Sequence, residues 1–134
     1  MEERMDYRIL SNGTMMPSLG FGAYKIGDRD QVAQVIGQAI DTGYRLIDTA
    51  SFYGSEEGIA DAIRTSGIKR VDLFLQTKLW HTDTGYDSTM RAVEKSLKAL
   101  DTNYIDLYLI HQPIGDYYGS WRAMEELVDQ GVLM

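Results

Sequence analysis

Gly43-Tyr44-Arg45-Leu46-Ile47-Asp48-Thr49-Ala50-Ser51-Phe52-Tyr53-Gly54-Ser55-Glu56 decides how the rest of the chain is read. A short apolar run, Leu46-Ile47, stops at a carboxylate, and a tyrosine follows five residues later in a stretch with no core pattern. Ser55 then opens a helix, with Glu56 and Glu57 in the first turn where anionic side chains suit the helix dipole. Two later apolar runs stop in the same way. Leu73-Phe74-Leu75-Gln76-Thr77 meets Lys78, and Ile105-Asp106-Leu107-Tyr108-Leu109-Ile110 meets His111. Asp48, Lys78 and His111 therefore mark three strand exits at intervals of 30 and 33 residues. One strand, one helix and two loops fill about that length. Parallel strands side by side bring the three exits to one edge, where α/β folds keep their chemistry.

Composition narrows the function classes. At 134 residues the length suggests a single domain, 1–134, able to bury a core. The net charge of −7 argues against nucleic acid and anionic membrane surfaces. No apolar run approaches the roughly 18 residues of a membrane span. The opening Met-Glu-Glu-Arg-Met-Asp is acidic and shows no secretory signal. With no cysteine, disulfides, thiolate zinc sites and cysteine catalysis drop out, and two histidines 30 residues apart make a poor metal site. A cytoplasmic, metal-free protein is expected.

Outward from the central stretch, Tyr7-Arg8-Ile9-Leu10 and Met15-Met16 flank Asn12-Gly13, a strong hairpin signal because both residues tolerate positive φ; Pro17 ends the returning strand. Ser18-Leu19-Gly20-Phe21-Gly22-Ala23-Tyr24 reads as a first core strand. Its Gly-x-Gly is not the dinucleotide fingerprint, because Lys25 stands where the third glycine would fall. Asp28 or Asp30 caps a helix with Val32, Val35, Ile36, Ala39 and Ile40 on one face, and Gly43 ends it. A second helix spans about 55–65 and stops at Gly67; Trp80 to Tyr86 is a polar loop. The third helix turns Met90, Val93, Leu97 and Leu100 inward, with Arg91, Glu94, Lys95 and Lys98 solvated. A turn-rich loop through Tyr117 and Tyr118 precedes a fourth helix, about 120–129, with Trp121, Met124, Leu127 and Val128 inward and Gly131 after it. Val132-Leu133-Met134 begins a fifth strand. A hairpin followed by four β-α units predicts a parallel sheet with right-handed crossovers. A closed (β/α)8 barrel needs roughly 250 residues, so the chain holds about half of one.

Asp48, Tyr53, Lys78 and His111 make a coherent chemical set. A free tyrosine, with a pKa of about 10, is a poor proton donor at neutral pH. A nearby ammonium stabilises its phenolate, Lys78 can supply that ammonium, and Asp48 can keep the lysine charged. His111 can orient a carbonyl. Such a set suits reduction of an aldehyde or ketone, with Tyr53 protonating the developing alkoxide.

Gly43-Tyr44-Arg45 through Asp48-Thr49-Ala50, with Tyr53 and Glu56 in step, resembles the aldo-keto reductase signature. Gln76-Thr77-Lys78-Leu79-Trp80 and Asp106 to Pro113 resemble the family's lysine and histidine segments in order and spacing. The resemblance runs to about Gly131 and looks nearest to small bacterial reductases of diketo-sugar acids and methylglyoxal. It implies the N-terminal half of a TIM barrel whose bottom the hairpin closes. It also implies a catalytic tetrad at Asp48, Tyr53, Lys78 and His111, with NADPH as cofactor. Gly22, Ala23, Tyr24 and Asp48 would lie by the nicotinamide, and Tyr24, Trp80 and His111 would line the substrate pocket. Leu46, Ala60 and His81 depart from the pattern, where the family favours histidine, glycine and asparagine. The family's later segments, which hold the nicotinamide amide and the 2′-phosphate, have no counterpart in these residues.

Taken singly, each tetrad residue is a loop start or a cap; the joint register favours catalysis. His81 reads as a surface loop residue rather than a ligand, and the methionines as core and hairpin filler. Three readings stay open: a carbonyl reductase, assembled by pairing two half-barrels; a folded but catalytically idle truncated form; and an interaction module without cofactor. A half-barrel with open edges, and with Phe21, Leu46, Phe74, Leu107 and Leu109 on its inner face, is expected to self-associate as a homo-oligomer.

Overall fold

In the computed structural model, which describes residues 5–134, the hairpin comes first. The acidic opening Met1 to Arg4 lies outside the described residues. β1 (Tyr7–Ile9) and β2 (Met15–Pro17) pair antiparallel, with Ile9 opposite Met15 and Tyr7 opposite Pro17. The turn differs from the two-residue form expected. Leu10 N–H donates to the Thr14 carbonyl and Gly13 N–H to the Leu10 carbonyl, both at 2.9 Å. Only Gly13 takes positive φ, at 84°. Asn12 instead accepts the Thr14 N–H through Oδ1 at 3.0 Å, so a three-residue turn with one left-handed glycine closes the hairpin.

The central sheet has four strands in chain order: β3 (Gly20–Gly22), β4 (Leu46–Asp48), β5 (Phe74–Leu79) and β6 (Leu107–Ile110). All neighbours are parallel, with Gly22 opposite Asp48, Asp48 opposite Gln76, and Lys78 opposite Leu109. Beside the start of β6, Leu133 makes a parallel bridge to Ile105 where a fifth strand was expected. Successive strands are joined by α1 (Arg29–Thr42), α2 (Glu56–Ser66) and α3 (Tyr86–Leu100), with α4 (Tyr117–Asp129) after β6. This is the expected α/β architecture: a hairpin and four β-α units.

Of the two candidate caps for α1, Asp28 serves. Its side chain accepts the Gln31 N–H while Gln31 Oε1 accepts the Asp28 N–H, both at 2.9 Å. Gly43 ends the helix at φ 113°. Ser55 precedes α2 but makes no side-chain cap; its hydroxyl bonds Thr49 instead. Glu56, in the first turn of α2 as expected, is buried. The deepest positions of α3 are Thr89, Val93, Ser96 and Leu100, while Met90 and Leu97 only flank the core. α4 starts at Tyr117, earlier than expected, because Asp116 Oδ1 accepts the Gly119 N–H at 2.9 Å. Tyr117 and Tyr118 are thus helical. Its buried stripe is Gly119, Ser120, Ala123, Met124 and Leu127, leaving Trp121 55% exposed and Val128 48%. In α3 and α4 small and hydroxyl residues are among the most buried positions, and a count of large apolar side chains passes over them.

The helix-covered side of the sheet holds the core. Ile36, Ile40, Ile47, Ile59 and Leu75 form one cluster; Leu79, Val93, Ile105, Tyr108, Met124 and Leu133 form a second. The other side carries Leu46, Asp48, Phe74, Gln76, Lys78, Leu107 and Leu109 by strand alternation. The expected apolar inner face is smaller than the sequence suggests. Phe21 packs on the helix side, edge-on to Tyr44 at 5.4 Å. Leu46 and Phe74 are buried near the end that the hairpin covers. Leu109, 37% exposed, remains open. Among the methionines, Met124 is core and Met15 is 58% exposed.

Candidate active site

The site begins with where β4 and β5 stop. β4 ends at Asp48 as expected, but β5 runs through Lys78 to Leu79, so Lys78 sits inside the strand and not beyond it. Alternation then decides the face: Thr77 and Leu79 turn into the helix layer while Gln76 and Lys78 share the open face with Asp48. The Lys78 ammonium donates to Asp48 Oδ1 at 2.6 Å and to the Thr49 carbonyl at 2.8 Å. Gln76 Nε2 donates to the same carboxylate oxygen at 2.6 Å. The lysine side chain is 13% exposed and the aspartate 32%, so the pair is partly withdrawn from water. Charge-assisted bonds of this kind are strong where solvent is excluded.

Residues 49–56 carry Tyr53 to this pair. Instead of an irregular loop, Ser51–Tyr53 forms a single 3-10 turn closed by Gly54 at φ 68°. The Ser51 hydroxyl donates to the Lys78 carbonyl at 3.2 Å. The Lys78 ammonium lies 5.1 Å from the centre of the Tyr53 ring. On its other sides Tyr53 meets Tyr24 at 4.8 Å and His111 edge-on at 5.7 Å. His111 follows β6 directly, and its N–H donates to the Leu79 carbonyl at 3.0 Å. Partial burial and the Lys78 charge push its pKa below the usual histidine value, against a smaller opposing pull from Asp48. At neutral pH this imidazole is uncharged and can offer one N–H.

Asp48, Tyr53, Lys78 and His111, drawn from four separate segments, thus meet at one edge of the sheet. Trp80 stands edge-on to His111 at 5.2 Å. Tyr24, 55% exposed, borders the same opening through Tyr53. Gly22 and Ala23 lie alongside Asp48: Ala23 N–H donates to the Asp48 carbonyl at 2.9 Å, and a side chain at Gly22 would meet open space. His81 is half-buried against Trp80 at 4.3 Å, so it is less of a surface residue than its loop suggested. Among the described residues no group of acidic or histidine side chains could hold a metal ion. Sequence reading passed over Phe52, whose ring stacks on Trp80 at 4.0 Å, and Gln76, the second donor to Asp48. Strand alternation could have found Gln76. Nothing in the sequence pointed to Phe52.

The model of the aldo/keto reductase family matches residues 18–134. The glyoxal reductase of Bacillus subtilis is 45% identical over 123 residues, covering 91% of this chain and 45% of that protein. The methylglyoxal reductase DkgA of Escherichia coli is 39% identical over 127 residues, covering 92% of this chain and 45% of its own length. Among solved structures, an aldo/keto reductase from Brucella melitensis superposes with a TM-score of 0.93 at 44% identity, over 97% of this chain and 52% of that one. One from Bombyx mori, in complex with NADP, gives 0.89 at 32% identity over 97% and 48%. The chain spans about half the length of the relatives it matches. No helix among the described residues is long and apolar enough to cross a membrane.

Proposed function

The chain belongs to the aldo/keto reductase family, and from that premise we propose that Asp48, Tyr53, Lys78 and His111 serve NADPH-dependent reduction of small aldehydes and ketones. The observation that carries this reading is the Lys78 ammonium, bonded to Asp48 at 2.6 Å and set beside the Tyr53 ring. Asp48 anchors the Lys78 ammonium, which sets a positive charge beside the Tyr53 ring. Tyr53 is the proton donor to the carbonyl oxygen. Neutral His111 donates a hydrogen bond that aligns the same oxygen. Trp80, Tyr24 and Phe52 form an aromatic wall that suits a small, unbranched carbonyl compound; the names of the Bacillus and Escherichia relatives point to the same class.

The residues present fit the nicotinamide end of the cofactor. Gly22 leaves the backbone open beside Asp48, so a flat ring can approach closely, with Ala23 and Tyr24 continuing that surface. The cofactor supplies the hydride. The NADP complex of the Bombyx neighbour supports a nicotinamide dinucleotide, and the phosphorylated form is part of this proposal.

The reading includes self-association, for which the sheet edge and the hairpin give the ground. β3 is an open sheet edge, and Ile9 (76% exposed) and Met15 project from one face of the hairpin. Two copies supply the eight strands with which such barrels close. A cytoplasmic, reducing setting, where NADPH is available, completes the proposal. A catalytically idle module is the competing reading, and it rests on the same coverage.

Titration of NADPH into the purified chain, followed by quenching of Trp80 fluorescence, tests the cofactor step; Trp121→Phe removes the exposed second indole. Saturation at micromolar cofactor is expected. Turnover of methylglyoxal should then fall by about 10²–10⁴-fold in Tyr53→Phe. No quenching up to millimolar NADPH overturns the reductase reading in favour of the idle module. A monodisperse monomer in light scattering overturns the self-association.

A further inference from the structure

Among the described residues, Glu56 is the one acidic side chain drawn into the layer between helices and sheet near the site. It is 7% exposed, although its neighbour Glu57 stays in solvent and pairs with Arg29 at 2.9 Å. A carboxyl so placed is costly unless it holds something. It accepts a hydrogen bond from Thr77 Oγ1 at 2.7 Å, and Thr77 is fully buried. Thr77 precedes Lys78 on β5, and alternation puts the two side chains on opposite faces of the same strand.

The surrounding bonds form a frame. On the open face Lys78 donates to Asp48 and to the Thr49 carbonyl, and Ser51 donates to the Lys78 carbonyl. On the helix side Thr49 and Ser55 share a buried hydroxyl bond at 2.8 Å, and Thr49 N–H reaches the Gln76 carbonyl at 2.8 Å. Glu56 closes this frame from behind. Its own position is set by α1: Gly58 lies so close that an added Cβ would meet Val32 Cβ at 2.7 Å and the Arg29 carbonyl at 2.8 Å. The first turn of α2 is therefore a fixed post, and Tyr53 stands three residues before it.

We infer that Glu56 is a positioning residue, which through Thr77 holds β5 in the place where Lys78 meets Asp48 and Tyr53. The inference rests on the reading of Lys78 as part of the reductase group, and its test needs neither cofactor nor turnover. Burial pushes the Glu56 carboxyl above its ordinary pKa, with the Thr77 and Ser96 hydroxyls and the Lys95 ammonium acting against that rise. A glutamine keeps an acceptor oxygen for Thr77 at the same place, and we assign the holding role to that acceptor rather than to the charge.

Competitive labelling with trace acetic anhydride, read by mass spectrometry as the ratio of Lys78 to exposed Lys69 modification, reports how firmly Lys78 is held. Thr77→Val is near-isosteric and tests the bond without emptying the site. Both Thr77→Val and Glu56→Ala are expected to raise the ratio about threefold to tenfold, with no further rise in the double variant. Glu56→Gln is expected to keep the wild-type ratio. Ile36→Val, a core change that leaves the Glu56–Thr77 bond itself untouched, controls for general loosening. Wild-type protection in Thr77→Val, an equal rise in Ile36→Val, or a Glu56→Gln ratio matching Glu56→Ala overturns the inference. Inactivity of the chain with protection changed as expected would instead count against the reductase reading alone.

Discussion

The two faces of the central sheet are built from the same few strand residues and do opposite things. Ile47, Leu75, Thr77 and Leu79 are between 0 and 2% exposed under the helices. One residue away in each strand, Gln76 and Lys78 both donate to Asp48 on the open face. The helix side is close-packed and holds its polar groups in fixed bonds; the open side is loosely covered, polar and charged. Strand period alone separates them, so adjacent positions are given over to packing and to chemistry in turn.

That separation is tested most severely by Leu75→Ala. Emptying a fully packed site on the helix side should cost about 2–5 kcal/mol, read by urea unfolding. Gly58→Ala comes next, at about 1–3 kcal/mol, because its methyl group would strike Val32 and the Arg29 carbonyl with no room to yield. Smaller still is a pH effect at Glu56. Its folded pKa lies above the ordinary 4.5, so the folded state binds the extra proton. The associated stability is present below 4.5 and is lost as pH rises through the elevated value. Glu56→Gln should flatten that slope in unfolding midpoints measured across mildly acidic pH. Least of all, Leu109→Asn on the open face should change stability by no more than about 0.5 kcal/mol. A Leu109→Asn cost that rivals Leu75→Ala would mean the open face is covered in solution, which is what self-association requires.

The polar exits were legible because each breaks an apolar run. Asp48, Lys78 and His111 announce themselves by type and spacing, and Tyr53 by its place before a helix start. Glycine marked the ends of α1 and α2 because left-handed backbone is needed there, at φ 113° for Gly43 and 72° for Gly67. Glu56 stands in the first turn of α2 as its sequence position suggests, but its burial was not legible, since helix-dipole logic applies equally to a buried and an exposed glutamate. Trp121 was assigned to the core and is half in solvent, whereas Ser120 and Ala123 are fully buried. Large apolar side chains are the visible signal in a sequence, but in α4 small ones are among the most deeply buried.

By itself the sequence determined the alternation of strands and helices and the family in which Asp48, Tyr53, Lys78 and His111 are read together. Local rules suffice for this: period, caps, turn glycines and the cost of ending an apolar run with a charge. Only the tertiary structure decided that Lys78 sits within β5, that Gln76 joins Asp48, that Phe52 stacks on Trp80, and that Glu56 reaches Thr77 through the core. Each depends on a contact between residues 21 to 30 positions apart. The energy of such contacts comes from burial and hydrogen-bond geometry, which arise when strands and helices are laid against each other.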